Sequence, residues 1–129
     1  MANYPEEWLK QADYDMATAE YLYKGRRYFY AVYWCHLSIE KAFKGLYEYK
    51  RRQRAPRTAN LVYILKRIGT GAPQRILRAV VQLNSANMTM RLYDDMEQLQ
   101  KKYPAAVAKE IVENCKEALK WTKEQCANL

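Results

Sequence analysis

The chain has 129 residues, close to the usual size of a single domain, and half of them are apolar or aromatic. We therefore predict one domain, residues 1–129, with a sizeable core. Four glycines and four prolines are too few turn signals for a β-sandwich or barrel. The 22 lysines and arginines against 14 aspartates and glutamates give a formal charge of +8, which favours anionic partners such as nucleic acid, nucleotides or acidic protein surfaces.

The cysteines and the hydropathy pattern exclude several classes of protein. Three cysteines without a Cys-x-x-Cys pair favour neither a zinc site nor a disulfide framework, so we predict no metal and no cofactor. Cys35 and Cys115 fall on apolar helical stripes and are expected to be buried. The first ten residues lack the basic and apolar regions of a secretion signal, and no window approaches the ~18 apolar residues of a membrane span. These features predict a cytoplasmic protein without a membrane segment.

The first half of the chain predicts two long helices. The first is expected over 5–24, with Pro5 at its first position, an apolar stripe from Trp8 to Tyr23, and Gly25 as its stop. The second is expected over 28–50. Beside its apolar stripe runs a row of small side chains that would let another helix approach closely, namely Ala31, Ser38, Ala42 and Gly45.

The second half predicts one short and two long helices. The short helix is expected over 59–68, with Thr58 as a possible N-cap, and the fourth helix over 73–90. The stretch 92–103 is expected to be irregular, at least in its first half, and Pro104 opens the fifth helix. Short connections between amphipathic helices favour antiparallel neighbours. The predicted fold is all-α, an up-and-down antiparallel bundle of four long helices and one short helix.

Two stretches of the chain are candidate binding sites. The segment 50–57 is predicted to be a basic loop; its arginines are Arg51, Arg52, Arg54 and Arg57. On the fourth helix Asn84, Asn87 and Arg91 share one face if the helix continues, and two amides with a guanidinium can hold a phosphate or a base edge. Tyr93 follows and could stack on a base.

Each of the two stretches also has a structural interpretation. A basic run is commonly only a solvated surface. The asparagines could satisfy loop backbone groups, with Arg91 paired to Asp94 or Asp95. If the short third helix does not reverse the polarity of the bundle, the loops after the second and fourth helices lie at the same end. We then expect one shared cationic site.

Two buried or half-buried polar positions allow catalytic and structural interpretations. His36, Glu40 and Lys44 are spaced at i, i+4 and i+8. A histidine oriented by a carboxylate is a general-base arrangement, and it is also an ordinary pairing on a helix surface. Asp15 lies at the edge of an apolar stripe, where a salt bridge to a lysine or arginine of another helix is the favoured interpretation.

Several motifs in their order and spacing resemble the HEPN family. The opening Trp8–Ala19 is similar to that family's first helix, and Ile39–Leu46 resembles its "AEKALKAL" second helix. The stretch Pro56–Leu61 resembles a "PKTHNL" segment. Leu83-Asn84 followed by Arg91–Asp95 looks like the family's "LN…RYPDD" segment. The stretch Ala118–Trp121 resembles its alanine-and-tryptophan ending.

The resemblance implies a helical bundle, usually a homodimer, often paired with a small nucleotidyltransferase in a toxin–antitoxin-type system. Some members are metal-independent ribonucleases with an arginine four to six residues before a histidine. Here the single histidine, His36, has no arginine at that spacing, and no histidine follows Arg91. We therefore predict a nucleotide- or RNA-binding module. The alternatives are a ribonuclease toxin with a rearranged site using Arg91, His36 or Tyr93, and a structural interaction module.

Overall fold

The computed structural model describes residues 4–92 and 95–129. For Tyr4 and for residues 87–92 it describes the backbone alone. All regular structure in these ranges is helical, as predicted. The elements are α1 Tyr4–Lys24, α2 Tyr28–Arg51, α3 Leu61–Ile68, α4 Gln74–Leu92, α5 Met96–Lys102 and α6 Ala105–Ala127.

α1 and α2 form an antiparallel hairpin with a tight turn. The amide of Arg26 donates to the Tyr23 carbonyl at 3.0 Å and that of Arg27 to the Leu22 carbonyl at 2.8 Å, the two bonds of a Schellman motif. The left-handed residue of this motif is Arg26, with φ of 63°, and not the neighbouring Gly25. Glycine adopts this conformation without steric cost, whereas for an arginine it costs on the order of 1 kcal/mol.

The row of small side chains on α2 allows α1 to approach closely, as the sequence predicts. The Ser38 hydroxyl donates to the Ala12 carbonyl across the interface at 2.7 Å. A Cβ on Gly45 would lie only 3.1 Å from the Cβ of Trp8. Asp15, which is buried, pairs with Lys41 of α2 at 2.8 Å. The structural interpretation of Asp15 is confirmed.

The four long helices run up and down in chain order. α6 is antiparallel to α1, because Lys116 pairs with Glu20 and Lys123 with Asp13. α4 is antiparallel to α6, because the Asn114 amide reaches Gln82 while Arg75 lies beside Glu117. The core between them is apolar; its largest fully buried side chains include Phe43, Ile39, Leu46, Leu61, Ile64, Ile76, Leu83 and Ile111.

Two local features differ from the sequence predictions. α3 is capped by Asn60, whose side chain accepts from the Tyr63 amide, and not by Thr58. The expectation of irregular structure over 92–103 is wrong at α5, where Asp95 accepts the amides of Glu97 and Gln98. The helix has only seven residues, too few to show an amphipathic period in the sequence.

The remaining predictions on class concern thiols, metals and membranes. Cys35 and Cys115 are buried, as expected, and the Cys115 thiol donates to the Cys35 carbonyl at 3.3 Å. Within 4–92 and 95–129, no group of His, Cys, Asp and Glu side chains could hold a metal ion. In the same ranges no helix is both long and apolar enough to cross a membrane.

Candidate nucleic-acid interface

One end of the bundle, where both α2 and α3 finish, concentrates positive charge. We call this end the basic pole and define it by seven residues of the α2–α3 region, which are Lys50, Arg51, Arg52, Arg54, Arg57, Lys66 and Arg67. The five basic residues predicted for the loop all belong to it. α3 adds two more from its exposed side.

The backbone of the basic pole is held by polar contacts between the ends of α2 and α3. The Lys50 ammonium donates to the Thr70 hydroxyl at 2.8 Å, and the Arg51 Nε donates to the Arg67 carbonyl at 3.2 Å. Gly69 ends α3 at a φ of 78°, and a Cβ there would lie 2.7 Å from the Arg51 guanidinium. Glycine at this position therefore allows Arg51 to cross the end of α3.

A groove of about 380 Å³ opens between these two helix ends. Its lining residues are Tyr47, Arg51, Gln53, Lys66 and Arg67. The Arg67 guanidinium donates to the Tyr63 hydroxyl at 2.7 Å and lies 5.7 Å from the centre of the Tyr63 ring. It also donates to the Tyr47 hydroxyl at 3.5 Å. These contacts orient the guanidinium along the wall of the groove.

The electrostatics of the groove favour an anion. Within the part of the chain that the structure describes, Arg51, Lys66 and Arg67 form no ion pair with a carboxylate. The nearby Glu48 is buried, and its carboxylate accepts the Ala55 amide at 2.9 Å. The Tyr63 hydroxyl raises the pKa of Arg67, so the guanidinium is charged at every physiological pH.

Arg67 and Arg51 offer donors that suit a phosphate oxygen, and Lys66 adds a point charge. Tyr63 is 43% exposed and presents a ring on which a base can stack. Tyr47 is only 3% exposed and offers its hydroxyl alone. The arrangement can therefore bind a phosphate and one adjoining base.

The comparisons with known proteins agree with the bundle architecture. A family model described as the HEPN domain matches residues 5–125. The chain belongs to the HEPN domain family. Among solved structures it is similar to ST0689, an archaeal HEPN homologue, with 26% identity, a TM-score of 0.79 and coverage of 95% of this chain and 97% of that one.

A second solved structure shares the fold at lower identity. It is TT1696 from Thermus thermophilus, with 18% identity, a TM-score of 0.81 and coverage of 95% of this chain and 98% of that one. None of the curated proteins compared with the chain matches it. The HEPN fold of the chain thus rests on the family model and on two structures that span almost the same length.

Contrary to the expectation from the sequence, α2 and α4 of this HEPN chain finish at opposite ends of the bundle. α3 has eight residues and spans about 12 Å, so it does not cross the bundle. α4 starts at the end where α2 finishes and, being antiparallel to α2, ends beside the α1–α2 turn. The 19 residues of α4 span about 28 Å, so Arg91, near its end, is remote from the groove between the ends of α2 and α3. The loop after α2 returns along α4 as far as Asn60, whose side chain contacts Asn84.

The structure describes the predicted site on α4 only in part. The Asn84 Oδ1 accepts the Leu61 amide at 2.9 Å, and its Nδ2 donates to the Asn60 side chain at 3.2 Å. Asn84 therefore satisfies the start of α3, which is the structural interpretation. The side chains of Asn87 and Arg91, and all of Tyr93, lie outside the described residues.

In the row formed by His36, Glu40 and Lys44, the first and last residues are buried and Glu40 is half-buried. His36 is 1% exposed, and its Nδ1 lies 3.8 Å from the Glu40 carboxylate. Glu40 also pairs with Lys44 at 2.9 Å, and the Lys44 ammonium lies 5.6 Å from the centre of the Trp8 ring. An imidazole this deeply buried has no access to a substrate in this conformation.

Three residues that line or adjoin the groove were not predicted from the sequence. Tyr63, Lys66 and Arg67 form the exposed side of α3 at i, i+3 and i+4, and that spacing was the available signal. Tyr49, which lies next to the basic loop in the sequence, turns away from it. Its hydroxyl donates to Glu6 of α1 at 3.3 Å, and burial together with the Glu6 charge raises its pKa.

Proposed function

We propose that this HEPN chain binds single-stranded RNA through the basic pole. The observation that carries the proposal is the groove between α2 and α3. Three cationic side chains meet there without a described carboxylate partner, beside the exposed ring of Tyr63. Phosphate contacts supply most of the affinity of such sites, and stacking on an aromatic ring adds to it without demanding a base sequence.

The extent of the basic pole favours a polymer over a single phosphate group. Seven cationic side chains are spread over the end of α2, the following loop and α3, whereas only three of them line the groove. Arg52, Arg54 and Arg57 lie outside the groove in the adjoining loop. They are positioned to contact further phosphates of a strand that enters the groove.

The test compares two triple variants of equal net charge. The first combines Arg51→Gln, Lys66→Gln and Arg67→Gln at the groove. The control combines Arg78→Gln, Lys109→Gln and Lys120→Gln, three exposed cations on α4 and α6. The affinity for a fluorescein-labelled oligouridylate is measured by anisotropy between low and moderate salt. We expect the groove variant to bind at least ~10-fold more weakly, and the control to stay within about twofold of the wild type.

The salt dependence gives a second readout of the same experiment. The logarithmic salt slope should be smaller by about 2 in the groove variant, because each phosphate contact of a single strand contributes about 0.7. Equal losses of affinity in the two triple variants would reduce the interaction to net charge and contradict a site at the basic pole. Failure of the wild-type protein to bind at low salt would also contradict it.

The proposal has a second part that rests on family membership. The resemblance implies a homodimer that works with a small nucleotidyltransferase in a toxin–antitoxin-type system, and the match over residues 5–125 supports extending that role to this chain. Sedimentation of the purified protein tests the dimer. Co-purification with the nucleotidyltransferase encoded beside it, where there is one, tests the partner. A monomer in sedimentation would remove the homodimer from the proposal.

A further inference from the structure

The opposite end of the bundle, where α1 turns into α2, has a pocket of its own. We call it the turn pocket; it has a volume of about 240 Å³ and is lined by Arg26, Arg27, Tyr28, Phe29, Tyr30, Met96, Gln100 and Tyr103. The α1–α2 turn forms one wall, and α5 with Tyr103 forms the other. No residue of the basic pole takes part in it.

The size of the turn pocket limits what can fill it. Sites for whole cofactors and drug-sized molecules usually measure about 300–1,000 Å³, and 240 Å³ is below that range. A volume of this size fits one large apolar side chain with a neighbouring polar group. The pocket therefore suits the anchor residue of a protein segment better than a complete small-molecule ligand.

The lining has the composition of the centre of a protein interface. Aromatic residues, methionine and arginine are enriched at such centres, and lysine, aspartate and glutamate are depleted. None of those three depleted types is among the described residues that line the pocket. Tyr30 is 49% exposed and Met96 is 58% exposed, so both offer apolar surface that a partner would cover.

The rim of the turn pocket is positive. Arg26 and Arg27 are exposed, and neither forms an ion pair with a carboxylate in the ranges 4–92 and 95–129. Their charges are complementary to a carboxylate on either side of an apolar anchor. Arginine suits this contact because its planar guanidinium can hold a carboxylate with two parallel hydrogen bonds.

Arg26 is the left-handed residue of the Schellman motif that ends α1. Its φ of 63° is one that glycine adopts freely and that other residues adopt at a cost. The side chain at this position is a cation that lines the pocket.

We propose that the turn pocket docks a segment of a partner protein in which carboxylates flank a large apolar side chain. The apolar side chain fills the cavity against Phe29, Tyr30 and Met96, and the carboxylates pair with Arg26 and Arg27. This inference does not rest on RNA binding at the basic pole. The two surfaces lie at opposite ends of the molecule, so both partners can be bound together.

The test uses a fluorescein-labelled peptide with a phenylalanine and a leucine between two pairs of glutamates. We expect it to bind the wild-type protein, and the double variant Arg26→Gly with Arg27→Gln to bind it at least ~10-fold more weakly. A peptide with serines in place of the two apolar residues should lose at least ~5-fold in affinity. The single variant Arg26→Gly should melt no lower than the wild type, so that lost binding is not lost folding.

Arg52→Gly is the matched control, because Arg52 is also an arginine with positive φ, 57°, at the end of a helix. It is compared with the single variant Arg26→Gly, because each removes one charge and relieves the same backbone conformation. Peptide binding should be unchanged in Arg52→Gly. Absence of peptide binding, an equal loss in Arg52→Gly, or equal affinity for the serine peptide would overturn the proposal. Displacement of the bound peptide by adenosine monophosphate would overturn it in favour of a nucleotide site.

Discussion

Arg52, the left-handed residue at the end of α2, adds a positive charge but lowers the stability of the fold. The Arg52 amide donates to the Glu48 carbonyl at 3.1 Å and its φ is 57°, so the backbone bond would form equally well with glycine. We predict that Arg52→Gly raises the free energy of unfolding by about 1 kcal/mol, because glycine relieves the steric conflict of the Cβ. The same variant loses one basic residue next to the groove of the basic pole.

Arg52→Gly is thus expected to change the stability of the protein and its affinity for oligouridylate in opposite directions. The melting temperature should rise by about 4 °C, whereas the affinity for oligouridylate should fall about two- to fivefold at low salt. Calorimetry and anisotropy on the same preparation measure both. A lower melting temperature would show that the Arg52 side chain has a structural role at the end of α2.

Cys126 gives a pH-dependent prediction at the residue scale. Burial of its half-exposed thiol raises the pKa to about 11 from an ordinary value of 9.0. The thiolate is the reactive form, so at pH 8 the thiolate population, and with it the rate of alkylation, should be roughly 100-fold below that of an unperturbed thiol.

The rate of Cys126 modification by iodoacetamide should rise with pH until about pH 11, provided that the fold persists. Mass spectrometry of the C-terminal peptide separates Cys126 from the buried Cys35 and Cys115. A rate that levels off near pH 9 would contradict the raised pKa. The raised pKa also makes the stability of the fold depend on pH. The thiol of the unfolded chain loses its proton at a lower pH than that of the folded chain, so the contribution of Cys126 to the free energy of unfolding decreases as the pH rises from 9 towards 11.

At the scale of the element, the start of α3 is stabilised by a residue of α4. Its first amide, that of Leu61, is satisfied by Asn84 of α4, and Asn84 also orients the Asn60 cap. We predict that Asn84→Ala lowers the free energy of unfolding by about 1–2 kcal/mol, because it leaves a helix-end donor without its partner. Asn84→Asp keeps the acceptor and should lose less.

Chemical denaturation of these two variants measures the effect, and RNA binding shows where it acts. Since Asn84 lies outside the groove, the affinity of folded Asn84→Ala for oligouridylate should stay within about twofold of the wild type. Equal stability of Asn84→Ala and the wild type would show that solvent satisfies the Leu61 amide. A selective loss of RNA affinity would instead return Asn84 to the binding site.

The elements that the sequence predicted correctly are those with several turns of amphipathic pattern. α1, α2, α4 and α6 each repeat an apolar stripe over at least 19 residues, and the periodicity fixes both the type and the buried face. α5 was missed because it is shorter than two full periods. The cap of α3 was misplaced by two residues because Thr58 and Asn60 are both cap-forming residues, and only tertiary contact with Asn84 distinguishes them.

At the scale of the whole molecule, the sequence predicted the bundle but not the arrangement of its ends. The prediction of a single cationic site assumed that the short α3 does not reverse the polarity of the bundle, so that the loops after α2 and α4 meet at one end. The eight-residue α3 does not cross the bundle, and α2 and α4 finish at opposite ends. Hydrophobic pattern defines helices one at a time, whereas this arrangement depends on their relative lengths.

Separate poles give the molecule two surfaces with different chemistry. The basic pole combines seven cations with one exposed tyrosine on α3, whereas the turn pocket combines two arginines with aromatic and methionine side chains. The charge of +8 acts over the whole surface and speeds encounter with any polyanion. Specific binding is therefore expected to depend on where the charges meet, and not on their total.

Mapping the contact between RNA and protein tests this account most directly. An oligouridylate containing 4-thiouridine is cross-linked to the wild-type protein at moderate salt, and the modified peptides are identified by mass spectrometry. The account predicts adducts within residues 47–67, centred on Tyr63 of α3. Adducts confined to residues 26–30 and 96–103 at the opposite pole, or spread evenly over the surface, would contradict it.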